Sequence, residues 1–510
     1  MRILGPNGQP IGGTTILGPD GQPIGGGADD STVSEEVKEI IKRAKEIAAQ
    51  GDAPSALQQM VYAFQEDVSS TLVIETTLDL LKQIAQAQGV AQSDEQQLFE
   101  QRVKVFPQPS TEPVVAQSDE QQLFEQLLSN RAEPGAYFAI GYRFFQLQQM
   151  IIAKPFLAKA RELQGDQINE LSQATDMHLA QANMDLGEYE EAILIFHAMN
   201  DKYGGLPIWL LLSMGECYAL LRQIDEAEAV YQIAPPEAAA QFEGLEEVRE
   251  EVGDMLARVR DFDEAEMGLR AWHYVQTRGV VVETNPDENV PGERFIFFQP
   301  SEEDVAYVCG VTAAMLDARG YAPTKLLWLG ESSEPLARIF SQWWEIDEAN
   351  IRPYQAGDNQ EDEAELALLV MAHSYDVLSL PDEQTFIDLA QARAGLITFA
   401  LDLRWTDRQP LTPDIAGFMT QVCNLPWESR FQVGEDGETV TQITETRDAV
   451  TIAANVAEQF PGEEDCDRFA QELYEEYAGC TDLIIDHRDG SLIRRPLVSH
   501  SPVKSPRFGF

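Results

Sequence analysis

The sequence predicts a two-part fold: an all-α array of helical hairpins followed by a C-terminal α/β domain with a mostly parallel sheet. Small and aromatic residues recur at hairpin spacing from about 31 to 272, and short β-branched or aromatic runs then alternate with helical patterns from 277 to 430. The chain has 510 residues, 44% of them hydrophobic, so it can bury substantial cores. The expected segments are a flexible Gly/Pro repeat tail (1–30), helical hairpins (31–89), a Gln-rich duplicated connector (90–130), a helical repeat array (131–272), the α/β domain (277–430) and an α+β extension (431–510).

The clearest hairpins lie in the second half of the array. Leu186-Gly187-Glu188-Tyr189 leads into Ala192, and Ile224-Asp225-Glu226 leads into Ala227, 35 residues later. Weaker units place alanines at 153 and 265, which gives spacings of 39, 35 and 38 residues. This period, with small residues where two helices touch, resembles the tetratricopeptide repeat (TPR). The resemblance implies an α-solenoid whose concave face binds a peptide or a partner domain and seldom carries out chemistry.

Acidic residues dominate the composition. The chain has 86 Asp and Glu against 36 Lys and Arg, a formal charge of −50, and the acids are spread along its length. Such a surface repels nucleic acid and anionic membranes, so we expect neither as a partner and expect protein partners to be basic. A solvated surface that keeps the protein soluble is the simpler interpretation of the same composition. The even spread of the acids does not favour a nucleic-acid mimic.

The remaining composition predicts no metal, no cofactor and no membrane segment. The five cysteines form no CxxC pair, the six histidines form no pair at metal-ligand spacing, and no GxGxxG or GxxxxGK[ST] motif occurs. The N-terminus has no apolar signal region, and no apolar run reaches 18 residues. We therefore expect a cytoplasmic protein with reduced cysteines.

The N-terminal tail carries a tandem repeat. Residues 3–13 return almost unchanged as residues 16–26, each with a turn-forming Pro-Asn-Gly or Pro-Asp-Gly. One interpretation is a flexible tail, and the other is a docking peptide displayed twice, whose two weak contacts add up.

A second duplication lies in the connector. The sequence from Val90 to Gln101 recurs from Val115 to Gln126, and Ser-Asp-Glu-Gln-Gln in each copy is typical of a helix start. We expect either copy to pack on the helices. The other copy is then an amphipathic Leu-Phe peptide available to a partner groove, and homo-association through the duplicated segments follows as a hypothesis.

The α/β domain is expected to begin with a pair of strands. Residues 279–283 and 294–298 are β-branched or aromatic runs separated by an Asn-Pro and Pro-Gly loop. The later predictions are helices over Glu302–Ala318, Glu334–Trp344, Val450–Gln459 and Asp465–Tyr477, strands over Lys325–Gly330, Asn350–Tyr354, Leu366–Ala372 and Leu396–Leu403, and a hairpin over Leu483–Ile493.

The best candidate pocket is the turn after the Lys325–Gly330 strand. Ser332 and Ser333 precede a helix there, and their hydroxyls and backbone N–H groups form a candidate anion site at the carboxyl edge of the sheet. Glu331 and Glu334 flank the turn and oppose an anion, so plain helix caps are the alternative interpretation. His373 ends a predicted strand near Asp376, which is a suitable place for catalysis but a single residue.

The order of strands and helices loosely resembles a phosphoribosyltransferase-like or Rossmann-like layout. In the transferase family an acidic dyad and a threonine-glycine loop hold the ribose phosphate, and the nearest string here is Leu380–Thr385. It lacks the glycines, so we assign no catalytic residue from the resemblance.

The leading functional prediction is a protein–protein interaction adaptor or scaffold, with the α/β domain as a second binding module. The alternative is an enzyme or a nucleotide or small-anion sensor, and it requires a cluster of Gly330–Ser333, His373 and Asp402. A third hypothesis is a structural component of a large assembly.

Overall fold

The structure, a computed structural model, describes residues 33–88, 118–236, 245–262, 268–285, 293–355, 358, 366–381, 383–391, 395–406, 409, 411–428, 430–433, 440–477, 480, 482–487, 492–497 and 501. The tandem repeat of the tail and the first copy of the duplicated connector segment lie outside these ranges. Asp382 of the Leu380–Thr385 string also lies outside them.

The first half of the described chain is helical. Its helices are α1 (Glu35–Ala49), α2 (Ala53–Asp67), α3 (Thr71–Gln88), α4 (Ser118–Ser129), α5 (Pro134–Gln146), α6 (Met150–Gln164), α7 (Glu170–Asp185), α8 (Tyr189–Tyr203), α9 (Ile208–Leu220), α10 (Ile224–Ile233), α11 (Leu245–Val259) and α12 (Leu269–Thr277). The sequence from about Ser70 to Gln88 predicts a helix pair, but the structure has the single helix α3 there, because Thr71–Gln88 contains no glycine or proline to break it. None of the described helices is long and apolar enough to cross a lipid bilayer.

Local sequence sets several helix starts and ends. The side chains of Ser34, Asp52 and Asn169 each accept a hydrogen bond from the backbone N–H three residues later, which satisfies a donor of the first turn. Gly204 ends α8 with a left-handed φ of 75°, a conformation that glycine adopts without steric cost.

Small residues allow the helices to approach closely. Consecutive helices pack on each other, and α5 also contacts α7, as α9 contacts α11. Ala192 and Ala227, the reference alanines of the two clearest hairpins, are fully buried. A Cβ atom on Gly141 of α5 would lie 2.8 Å from Cγ of Leu157 in α6, so this pair of helices requires glycine at the contact.

The second half of the chain contains a parallel sheet. Its strands are β1 (Val280–Glu283), β2 (Phe295–Phe298), β3 (Lys325–Leu329), β4 (Ile351–Pro353), β5 (Ala367–His373), β6 (Leu396–Arg404) and β7 (Ile415–Cys423). The strand order is β4-β3-β5-β6-β7, with β1 and β2 on the outer edge of β7, and every described pairing in the sheet is parallel. The predicted α/β layout is thus confirmed.

Two details differ from the sequence prediction. The first two strands do not pair with each other: β1 lies beside the first half of β7 and β2 beside its second half, so they form one interrupted edge. Strand β7 was not predicted. Its sequence mixes Gly417, Thr420 and Gln421 into an apolar run, which obscures the continuous hydrophobic pattern of a buried parallel strand.

The central strands are buried on both faces. In β3 and β5, Leu326, Leu368 and Val370 join one core, while Leu327 and Leu369 join the opposite one. The first core is covered by α13 (Glu302–Ala318) and α14 (Glu334–Trp344), and the second includes residues of α15 (Glu383–Gln391). This two-residue alternation, apolar on both sides, is the pattern of a sheet with helices on both faces.

The C-terminal extension packs on α13 and α14, the helices that cover one face of this sheet. It consists of the antiparallel strands β8 (Arg430–Val433) and β9 (Val440–Ile443), helices α16 (Ala449–Ala457) and α17 (Glu463–Glu476), and a 3-10 helix (Ile484–Asp486). The 3-10 helix lies where the sequence predicted the first strand of a hairpin. Residues 488–491, which include its expected Asp-Gly turn, lie outside the described residues.

The helical region and the α/β domain share one core. Trp272 in α12 is fully buried, and a single cluster of apolar side chains runs from Met150 through Trp272 to Leu497. Ion pairs reinforce this junction. Glu251 of α11 accepts from Arg495 of the C-terminal segment at 3.0 Å, and Asp482 of that segment accepts from Arg278, which follows α12, at 2.7 Å.

Candidate functional site

A buried polar cluster of the α/β domain lies at the carboxyl edge of the sheet. The chain continues from β3 to β4 on one side of β3 and then crosses to β5 on its other side. The crevice between the ends of β3 and β5 is therefore a topological switch point. Open α/β sheets commonly bind ligands at such a crevice. The turn Gly330–Ser333 follows β3, and a 3-10 helix (Ser374–Ser379) follows β5.

His373, the last residue of β5, is held between two carboxylates. Its Nδ1 lies 3.0 Å from Oδ2 of Asp402 in β6, and its Nε2 lies 2.9 Å from Oε1 of Glu428 in the segment after β7. The other oxygen of Asp402 accepts the hydroxyl of Thr420 at 2.6 Å. Since carboxylates only accept, both ring nitrogens donate, and the imidazole is held as a cation.

The two candidate serines also bind carboxylates. The Ser332 hydroxyl donates to Oε1 of Glu428 at 2.7 Å, and the Ser333 hydroxyl donates to Oδ2 of Asp376 at 3.1 Å. Ser333 precedes α14 but makes no side-chain capping bond, so the plain helix-cap interpretation does not describe it. In this structure the hydroxyls of the candidate anion site hold the chain's own carboxylates.

Gly330 makes room for Asp376. Its φ is 89°, and a Cβ there would lie 2.5 Å from Cγ of Asp376. The same carboxylate accepts the backbone N–H of His373 at 3.1 Å. Asp376 thus lies at the turn leading into α14, where a bound anion would be expected.

Aromatic and cationic groups cover one side of the imidazole. The Tyr375 ring stacks on His373 at 4.8 Å between ring centroids, 8° from parallel, and the Arg404 guanidinium lies 4.5 Å from the Tyr375 centroid. The Trp427 indole donates to the backbone oxygen of Ser332 at 2.9 Å and ties the β7 segment to the β3 turn.

These contacts perturb the ionisation of the cluster. Burial alone would lower the pKa of His373, but the hydrogen bonds and charges of Asp402 and Glu428 outweigh it and raise the pKa to about 9. For Glu428, burial opposes ionisation, but the bond and charge of His373, with further bonds from the Leu425 N–H and the Ser332 hydroxyl, together hold its pKa below the usual range. Burial raises the pKa of Asp376.

The sequence located about half of this cluster. The predicted group of Gly330–Ser333, His373 and Asp402 comes together at one edge, with His373 and Asp402 in direct contact. Glu428 was missed, because it follows the strand that was not predicted. It is also 55 residues from His373 along the chain, so no local pattern connects them. The available signal for a polar cluster at this edge was the position of Asp402 within an otherwise apolar strand, because a buried carboxylate needs polar partners.

The arrangement favours a protonated His373 held between two carboxylates over a nucleophilic role for Ser332 or Ser333. Each serine is hydrogen-bonded to a carboxylate rather than to a histidine base. Among the described residues, no group of three or more His, Cys, Asp or Glu side chains could hold a metal ion. The chain matches no protein-family model, and no curated protein matches it.

Proposed function

We propose that the protein is an interaction adaptor whose helical region, a TPR-like solenoid, binds a basic protein partner. The observation that supports this proposal is an acidic face made of Asp185, Glu216 and Glu251 on the first helices of three successive hairpins. Asp185 is only 7% exposed and the Glu251 side chain 14%, so the carboxylates are largely buried. Burial raises the pKa of Glu216 of α9 to about 7, and the charges of Glu251 of α11 and Asp185 of α7 contribute to the same shift. A basic side chain placed there relieves this repulsion.

The chain's own C-terminal segment illustrates such recognition. The Arg495 guanidinium lies 3.0 Å from Oε2 of Glu251 and attracts the charge of Glu216. Arg495 remains 45% exposed, so the contact lies at the rim of the acidic face. An arginine or lysine of a partner would form the same kind of ion pair with Asp185 of α7 and Glu216 of α9.

The α/β domain fits the role of a second binding module. Its switch-point crevice is filled by Asp376 and Glu428, which are bonded to Ser333 and Ser332. A crevice filled by paired side chains favours a structural or protein-binding role over turnover of a substrate.

The adaptor proposal predicts a partner that depends on these two carboxylates. We expect the full chain, purified from native lysate at physiological salt, to retain a stoichiometric partner, and the Asp185→Asn/Glu216→Gln variant to bind it roughly tenfold more weakly, about 1.4 kcal/mol. The loss follows from removing two acidic groups that attract the partner, of which Glu216 is partly ionised near its pKa of about 7, and high salt should weaken binding by the wild-type chain. The measurements are mass spectrometry of the retained protein and titration calorimetry with that protein.

The matched control removes the same number of carboxyl groups from another face. Glu190 and Glu191 are exposed in the first turn of α8, and Glu190→Gln/Glu191→Gln should leave partner affinity unchanged. Equal affinity for both double variants, or a chain that retains no stoichiometric partner, would refute the acidic face as the binding surface.

A second candidate is a small-ligand site in the α/β domain, belonging to an enzyme or to a nucleotide or small-anion sensor. The observation that favours it is the position of the His373 cation at the switch point, with the Ser332 and Ser333 hydroxyls beside it. A phosphate that displaced the Asp376 carboxylate would meet the two hydroxyls and a cation.

The ligand hypothesis predicts a thermal shift. A nucleotide, a sugar phosphate or inorganic phosphate at a hundred times its Kd should stabilise the full chain by about 2.7 kcal/mol and raise its Tm measurably. His373→Gln should abolish the shift, whereas His197→Gln, a substitution in α8 outside the α/β domain, should keep it. Absence of a shift with every compound, or a shift that survives His373→Gln, would exclude this site.

A further inference from the structure

The second copy of the duplicated connector segment is an integral part of the helical core. Its residues 118–126 form the first part of α4, which packs on α3 and α5. Phe124 and Leu127 of α4 are fully buried, and the partly buried Leu123 packs beside them. We call the surface of α2, α3, α5 and α6 that receives these side chains the α4 groove.

The α4 groove recognises one aromatic and two acidic side chains. The Phe124 ring meets those of Phe64, Phe156 and Phe144 at centroid distances of 6.2, 5.8 and 6.4 Å. Glu120 pairs with Arg143 at 2.6 Å and Glu125 with Lys82 at 3.7 Å. The aromatic contacts supply the apolar burial, and the partly buried Glu120–Arg143 pair fixes the position of the helix along the groove, whereas the exposed Glu125–Lys82 pair adds little.

The first copy repeats almost every group that the groove recognises. Residues 90–101 are identical to residues 115–126, so Phe99 corresponds to Phe124, and Glu95 and Glu100 correspond to the two acids. The two copies first differ at the position after the identical segments, where Arg102 corresponds to the buried Leu127. The first copy therefore fits with one charged residue at an apolar position, which favours the second copy without abolishing the fit.

The topology allows the first copy to reach the groove. Glu125 pairs with Lys82, and Arg131, just after α4, contacts Thr71 at the start of α3, so α3 and α4 are antiparallel. The start of α4 consequently lies near the end of α3 at Gln88. A helix at 93–104 in the place of α4 would need only the four residues 89–92 as its connection, which is an ordinary length for a helical hairpin.

We propose that the α4 groove is an exchangeable docking site whose alternative occupant is the first copy, Val90–Gln101 of the same chain. Docking of the first copy releases the second with its Leu123, Phe124 and Leu127 face uncovered. The groove thereby determines which of two nearly identical amphipathic segments is free for other contacts.

Cross-linking in the full chain tests the exchange. The Lys82→Cys/Glu125→Cys variant reports the second copy in the groove, and Lys82→Cys/Glu100→Cys reports the first. With a short thiol-specific linker, we expect the first variant to react within one chain in the otherwise wild-type protein. The second should react when Phe124→Ala weakens the resident copy.

A further variant leaves the resident copy intact. Arg102→Leu restores the missing apolar residue, so it should raise the cross-linked fraction of Lys82→Cys/Glu100→Cys at least several-fold without any change in α4. A matched control, Arg102→Lys, keeps the charge and should leave that fraction unchanged. The single Lys82→Cys variant controls for reaction with native cysteines.

The proposal fails if Lys82→Cys/Glu100→Cys does not react in either background. It also fails if the product appears only at the mass of a dimer on a denaturing gel, since that outcome places the first copy in the groove of a second molecule.

Discussion

Replacing Arg494 with leucine is expected to lower the free energy of unfolding by about 3–5 kcal/mol, the cost of breaking a buried ion pair. The Arg494 guanidinium is fully buried, pairs with Asp414 at 2.8 Å and donates to the backbone oxygens of Leu389 and Leu396. The substitution leaves a buried carboxylate without its partner and two carbonyls without a donor. The urea midpoint, followed by tryptophan fluorescence, measures the loss.

The adjacent arginine provides the control. Arg495 carries the same charge one residue later, but it is 45% exposed and pairs with Glu251 at the surface. Arg495→Leu should therefore cost about 1 kcal/mol or less. If both substitutions shift the midpoint equally, Arg494 does not anchor the C-terminal segment.

The second large effect is a loss of stability at alkaline pH. His373 has a pKa of about 9 in the folded protein against 6.5 ordinarily. Its bonds to Asp402 and Glu428 thus contribute fully below about pH 6.5, and the contribution is lost as the pH rises through 9. The shift corresponds to about 3 kcal/mol.

Unfolding curves from pH 6 to 10 measure this dependence. The free energy of unfolding of His373→Gln should be lower than that of the wild type at pH 6, and the difference between the two free energies should decrease by pH 10. His197→Gln, in which the hydrogen bond to Tyr218 is altered instead, should follow the wild-type pH dependence. If the wild-type and His373→Gln curves remain parallel, the imidazole is not held as a cation in the folded protein.

Local patterns predicted much of the fold, and long-range contacts account for what was missed. The predicted bounds of α13 and α14, Glu302–Ala318 and Glu334–Trp344, agree with the structure because Ser301 caps the first and Pro335 marks the start of the second. The pairing of β1 and β2 with β7 could not be predicted, because the sequence of β7 lacks the continuous apolar pattern of a buried strand. No local signal tells which strand a short edge segment will join.

The candidate site divides in the same way. The turn after β3 and the end of β5 could be located from strand ends and polar residue types. The bonds of Ser332 and His373 to Glu428 join residues 96 and 55 positions apart, and only the folded sheet brings them together. Likewise, the sequence showed that the connector segment is duplicated, but not which copy packs against Phe64 and Phe156.

The continuous core that joins α12 to the sheet limits how the chain can be divided. A fragment that begins at Val280 would lose Trp272, Tyr274 and Val275, all fully buried, and would expose the apolar surface they cover. Truncation would then produce an aggregation-prone fragment rather than an isolated module. In evolution, too, neither half could have been exchanged for an unrelated one without rebuilding the other's surface, so the two parts are expected to have been inherited together.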